Sequence, residues 1–216
     1  YYARPLLKEY AFAPPAAAVA VARGAAPVVD FAATRTAYSV FGRVVRLDQH
    51  PTAGLTVVAS PVVDDTTESS SNGASTATAV AEQAITDENG AYRIRGLVPG
   101  VRYTVRLDLA AHQQDEENGS ENKTTAFAGY AFPGERTVVM GAEDVHKQDF
   151  VAVPLTRGAA AQVLGHVAAA DTRALAQMEA VLSCNGSAVQ VVPLARLPVF
   201  GFAGLRAGAY DVALRQ

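Results

Sequence analysis

Tryptophan is absent from this chain, cysteine occurs once, and no apolar run is long and clean enough to cross a bilayer. Each absence closes a class. A single Cys184 allows no disulfide framework within the chain. At the end of the apolar stretch Ala-Val-Leu-Ser-Cys it reads as a small buried hydrophobe, because a nucleophile needs a partnered base and none is evident. The Ala-rich stretch from Ala16 to Ala26 is too short for a span and is broken by Arg23. A net charge of -3 offers no basic field for nucleic acid. Sugar-binding sandwiches usually present an exposed aromatic platform; here Tyr38, Tyr92, Tyr103 and Tyr210 fall on strand phases that suit a core. His50, His112, His146 and His166 are scattered without metal-ligand spacing. "TDENGAY" opens like a calcium loop from Asp87 but lacks the closing carboxylate, so the residues give no catalytic, cofactor-binding or metal-binding constellation.

What is present is a repeated phrase. "GLVPGVRYTVRL", from Gly96 to Leu107, returns as "GLRAGAYDVALR" from Gly204 to Arg215. In the first copy Tyr103, Val105, Leu107 and Leu109 alternate with Thr104, Arg106 and Asp108, the period of a half-buried strand. Pro99-Gly100 ahead of it fits a type II turn, and Asn89-Gly90 fits a tight hairpin. Upstream, "FGRVVRL" from Phe41 matches "LGHVAAA" from Leu164, and "LTVVAS" from Leu55 matches "MEAVLS" from Met178. A third echo is expected in "PLLKEYAF" from Pro5, with Leu6-Leu7 standing where Leu97-Val98 stands and Tyr10 and Phe12 in the places of Tyr103 and Val105.

These spacings predict an all-β chain of tandem immunoglobulin-like or prealbumin-like β-sandwich modules, one complete and two partial. Residues 1–36 are expected to close a preceding sandwich, with "VAVA" from Val19 and "VVDF" from Val28 in its strands. Residues 37–153 form the complete module and residues 154–216 open the next. "DTRALAQMEA" could form one helical turn capped by Asp171, but the module plan puts a turn into a strand there. The polar segments 64–84 and 112–125 read as long loops outside any core. Three Asn-x-Ser/Thr sequons, at Asn118, Asn122 and Asn185, are candidate glycosylation sites and point toward the secretory pathway. Asn185 differs from the other two in lying at a turn on the core's edge, where steric closure would keep a glycan off.

"RPLLKEYAFAPP" (Arg4 to Pro15), "TRTAYSVFGRV" (Thr34 to Val44) and "TDENGAYRIRGLVPGVRY" (Thr86 to Tyr103) resemble the C-terminal part of the Nodal modulator family. The turn phrase alone is shared with carboxypeptidase regulatory-like, transthyretin-like and collagen-adhesin repeats. The resemblance implies a non-catalytic string of sandwiches in the endoplasmic reticulum lumen, in a parent anchored by one membrane helix. It implies nicalin-like and small multipass membrane-protein partners behind the Sec translocon, supporting multipass membrane-protein insertion. An extracellular adhesion or carbohydrate-binding module is the alternative. A transthyretin-like hydrolase is a third reading, but its closing Tyr-Arg-Gly-Ser motif is absent and the chain ends "VALRQ".

Overall fold

The computed structural model describes residues 1–24, 26–62, 79–109, 129–154, 161–168, 173–194 and 197–216. At its centre, two four-stranded sheets face each other. One is ordered β10–β12–β5–β8, from Gly129–Phe132, Phe150–Pro154, Tyr38–Arg46 and Ala91–Leu97. The other is ordered β11–β9–β6–β7, from Arg136–Val139, Arg102–Leu107, Thr56–Pro61 and Glu82–Ile85. Their inward side chains make one core, with Val40, Val44, Tyr92, Ile94 and Phe150 from the first sheet and Val57, Tyr103, Val105, Leu107 and Val138 from the second. This is a β-sandwich, as the alternating pattern predicts. In β9 the expected phase holds, with Tyr103, Val105 and Leu107 buried, Thr104 half-buried and Arg106 exposed. Residues 82–84, assigned from sequence to a long loop, belong instead to β7, paired to β6. The remainder of both long loops lies outside the described residues except for 79–81.

The turns on either side of β8 have distinct geometries. Val101 N donates to Val98 O at 3.3 Å, and Gly100 sits at φ +80°, so Pro99-Gly100 is the expected type II turn. A β-carbon on Gly100 would meet nothing within 4 Å. Gly100→Val therefore acts through backbone strain alone, and denaturant melts should show a loss of about 1–3 kcal/mol. At Asn89-Gly90 the two-residue hairpin expected from the sequence is a three-residue loop. Gly90 N donates to Asp87 O, Asp87 N to Ala91 O, and only Gly90 takes positive φ. That is a type I turn closed by a left-handed glycine. The Asp87 carboxylate accepts from Asn89 N and Ala91 N and holds the loop, from which the chain crosses between sheets.

The strands beyond the sandwich repeat its pairings. After it come β13 (Ala161–His166), β14 (Glu179–Cys184), β15 (Ser187–Pro193), β16 (Val199–Leu205) and β17 (Asp211–Arg215). β13 pairs β16 as β5 pairs β8: Gly165 faces Phe200 where Gly42 faces Tyr92, and both ladders slip at the same place, next to Ala161 and Tyr38. A β-carbon on Gly42 would lie 2.2 Å from Gln148 O, and one on Gly165 2.1 Å from the Phe200 ring. Only glycine lets those neighbours approach. β14 pairs both β15 and β17 as β6 pairs β7 and β9, with Ala180 opposite Leu214 matching Val57 opposite Leu107. A separate core gathers Leu175, Leu182, Leu194, Phe200 and Phe202.

Several expectations are corrected in the outer parts. Val212 and Leu214 alternate as expected yet are exposed, because among the described residues β13 lacks the neighbour that β12 gives β5. Cys184 is half-buried at a strand end rather than buried. A 3-10 turn covers Ala174–Gln177 with Arg173 at its N-cap; Asp171 lies outside the described residues, and the expected strand starts at Glu179.

The N-terminal echo has a different register. Ahead of the sandwich lie β1 (Tyr2–Ala3), β2 (Tyr10–Ala13), β3 (Ala17–Ala18) and β4 (Ala32–Arg35). β2 pairs β4, with Ala13 before Pro14 opposite Ala32 after Phe31. β10 pairs β12 likewise, with Phe132 before Pro133 opposite Val151 after Phe150. Tyr10 and Phe12 thus echo β10, not β9, and Leu6 and Leu7 are exposed connector residues. "VAVA" and "VVDF" form no strands: β3 ends at Ala18 and β4 begins at Ala32. Valine letters alone fit any half-buried strand, whereas the partner ladder decides the place.

Candidate functional site

The most concentrated polar chemistry among the described residues is a carboxylate socket between β2 and the sandwich. Glu9 precedes β2, with its side chain only 8% exposed. Its oxygens accept from Ser39 Oγ at 2.6 Å and from Arg93, whose terminal nitrogen reaches both at 2.8 Å. Arg35 adds a third donor at 3.3 Å. Arg93 Nε donates to Ser39 Oγ at 2.9 Å, and Arg35 also pairs with Asp144, whose carboxylate accepts from Ser39 N. The Glu9 main-chain oxygen accepts from Thr36 N and Ala37 N. Beside it, Lys8 pairs with Glu82.

Each partner is set by strand geometry. Ser39 and Phe41 alternate on β5, and Arg93 faces Phe41 across the ladder with its guanidinium 5.0 Å from that ring. Arg35 ends β4 and lies 4.4 Å over the Tyr38 ring. Burial alone would raise the Glu9 pKa, but the hydrogen bonds from Ser39 and Arg93 and the charges of Arg93 and Arg35 hold it below the ordinary value. Asp144 is held low in the same way: burial opposes, and Ser39 N and Arg35 prevail. Oε1 takes three of these hydrogen bonds and Oε2 one, all from side chains of neighbouring strands, so the carboxylate acts as a clamp between elements.

The residues singled out in the sequence are not brought together. His146 stacks on Phe41 at 4.8 Å and His166 packs on Phe132, while His50 is exposed and His112 lies outside the described residues. No group of three metal-ligating side chains occurs among the described residues. Tyr92 and Tyr103 are buried, and Tyr38 and Tyr210 are half-buried against the two cores. Asn118 and Asn122 lie outside the described residues. Asn185 is exposed, not closed in: Asn185-Gly186, at φ 51° and 76°, is the two-residue tip joining Cys184 to its partner Ser187. Both central residues at positive φ make it a type I′ hairpin.

The socket leaves no signature in the sequence, because a glutamate and two arginines far apart in a chain carry no motif. Yet each phrase behind the family resemblance contributes to it. Glu9 lies in the first, Arg35 and Ser39 in the second, and Arg93 in the third.

No protein-family model matches the chain. It is 30% identical over 145 residues to the mouse protein named BOS complex subunit NOMO1, a match covering 67% of this chain and 10% of that one. The human NOMO1 protein is 28% identical over the same length and coverage. The Nicotinic receptor-associated protein 4 of Caenorhabditis elegans is 30% identical over 152 residues, 70% of this chain and 11% of that one. The chain thus spans about a tenth of the length of these relatives. Among solved structures, a streptococcal ancillary pilin aligns at TM-score 0.35 and 17% identity, over 85% of this chain and 56% of that one. The Bacillus anthracis TIE protein aligns at TM-score 0.33 and 13% identity, over 86% and 30%. On its similarity to the NOMO proteins, the chain belongs to the Nodal modulator family.

Proposed function

We propose that this chain is a stretch of a non-catalytic, protein-binding array of β-sandwiches in the lumen of the endoplasmic reticulum. The array supports a translocon-associated complex that assists multipass membrane-protein insertion. Its partners are a nicalin-like subunit and a small multipass membrane protein beside the Sec translocon, and one membrane helix outside this stretch anchors the parent. The module joints fall at 36/37 and 153/154. The observation that carries the reading is the recurrence of one set of strand ladders along a chain similar to proteins named as BOS complex subunits. Rigid repeats that present surface and hold distance are what an architectural subunit requires.

The test is co-purification of the protein carrying this chain from detergent-solubilised reticulum membranes. Recovery of the nicalin-like subunit and translocon components supports the reading. Recovery of the protein at the cell surface without them overturns it in favour of adhesion.

Lumenal placement also exposes the sequons to the glycosylation machinery. At least one of Asn118, Asn122 and Asn185 is expected to carry a glycan. Asn185 has the room, standing at an exposed hairpin tip. Glycosidase treatment of protein from its native source should increase gel mobility; unchanged mobility would count against lumenal residence.

A further inference from the structure

The junction on either side of the middle sandwich is built from different chemistry. At the first, Glu9 is received by Ser39, Arg93 and Arg35, with Asp144 bracing Arg35 and Lys8 pairing with Glu82. The matching ladders identify what stands in these places at the second junction. β5 and β13 align Ser39 with Gln162, β8 and β16 align Arg93 with Gly201, and β4 and β12 align Arg35 with Pro154. In the sequence, Ala128, which lies outside the described residues, comes just before β10 as Glu9 comes just before β2. Glu9, Arg93 and Arg35 thus each have an uncharged counterpart. The described contacts at the second junction are mainly apolar instead: Val151, Val153 and Val199 are buried together, with Val45, Leu47, Phe132 and Leu197 packed around them, His166 against the Phe132 ring, and Gln162 Nε2 donating to Pro154 O at 3.5 Å.

We propose that the socket formed by Ser39, Arg93, Arg35 and Asp144 is a joint surface whose partner is the Glu9 carboxylate of the preceding unit, and that this ionic clamp fixes the angle between the two. The second joint holds its angle mainly through apolar burial, with no carboxylate–guanidinium clamp at the matching places among the described residues. Along one chain, successive joints therefore yield to different perturbations. The ionic joint gives way when its carboxylate is neutralised, because two guanidinium groups are then left facing a neutral partner. The apolar joint gives way when a charge enters its core.

The experiment is pulsed electron–electron distance measurement on the full chain in a Cys184→Ser background. Spin labels at Asp30→Cys and Glu88→Cys report the first joint, and labels at Glu88→Cys and Ser187→Cys the second; all these positions are exposed. Both distributions are expected to be narrow in the unsubstituted chain. Glu9→Gln should lose the narrow peak at the first joint and keep it at the second, and Leu197→Asp should do the reverse. A first-joint peak as narrow in Glu9→Gln as without it overturns the clamp, as does equal broadening of both joints by either substitution. The proposal rests on the division at residue 36. A broad first-joint distribution in the unsubstituted chain would leave that division standing and remove the clamp.

Discussion

Glu9→Ala is expected to destabilise the full chain by about 2–4 kcal/mol at neutral pH, read from denaturant melts. Breaking one side of a fully buried ion pair costs about 3–5 kcal/mol. The expectation is set lower because the guanidinium groups left behind, Arg93 and Arg35, are 35% and 30% exposed and regain water. The sign of the pH dependence follows from the depressed pKa. Glu9 binds a proton less readily folded than unfolded, so its contribution is complete above the unfolded value, 4.5. It is lost as pH falls through the lower folded value. The gap between the unsubstituted and Glu9→Ala chains should therefore be flat near neutrality and close on acidification. A gap that widened in acid would show that Glu9 is not held as a carboxylate.

Tyr103→Ala is expected to cost about 3–5 kcal/mol, the range for removing a large aromatic side chain from a packed core. The ring is completely buried between the sheets, and its hydroxyl accepts from Val98 N at 3.1 Å. Truncation would leave both a cavity and an amide deprived of its acceptor next to the type II turn. Thr104→Ala, one residue along on the opposite face, should change stability by less than about 0.5 kcal/mol. Urea melts of the two variants side by side provide the check. Equal losses would contradict the burial assigned to this strand.

The legible parts of the fold were those where one local pattern has one outcome. The alternation from Tyr103 to Leu107 could bury only one face, and Pro99-Gly100 could make few other turns. The echo between Gly42 and Gly165 was legible because each glycine answers a ring on the facing strand, so spacing and residue type agree. The N-terminal phrase takes another register than its letters suggest, because Tyr-Ala-Phe suits β9 and β10 alike and only the ladder to β4 distinguishes them. β17 shows the converse: its letters alternate correctly, but burial depends on what lies opposite. The socket was hidden for a different reason. Its members come from the residue before β2, from β4, β5 and β8, and from the loop at Asp144, and nothing local shows that five separate segments converge.

The order of strands within the middle sheet also governs how the sandwich carries mechanical load. β5, the strand by which the chain enters the sandwich, lies directly beside β12, the strand by which it leaves, and the two run parallel. The loop before β12 extends this seam, with Phe41 N donating to Val145 O and Gln148 N to Phe41 O. Tension applied from outside pulls β5 by its N-terminal end and β12 by its C-terminal end, in opposite directions along the same line. The bonds between them lie across the direction of pull, so they are sheared together rather than unzipped one after another. A sandwich strung this way yields only when the whole seam fails at once, and its lifetime under force is set by the rate of that single event.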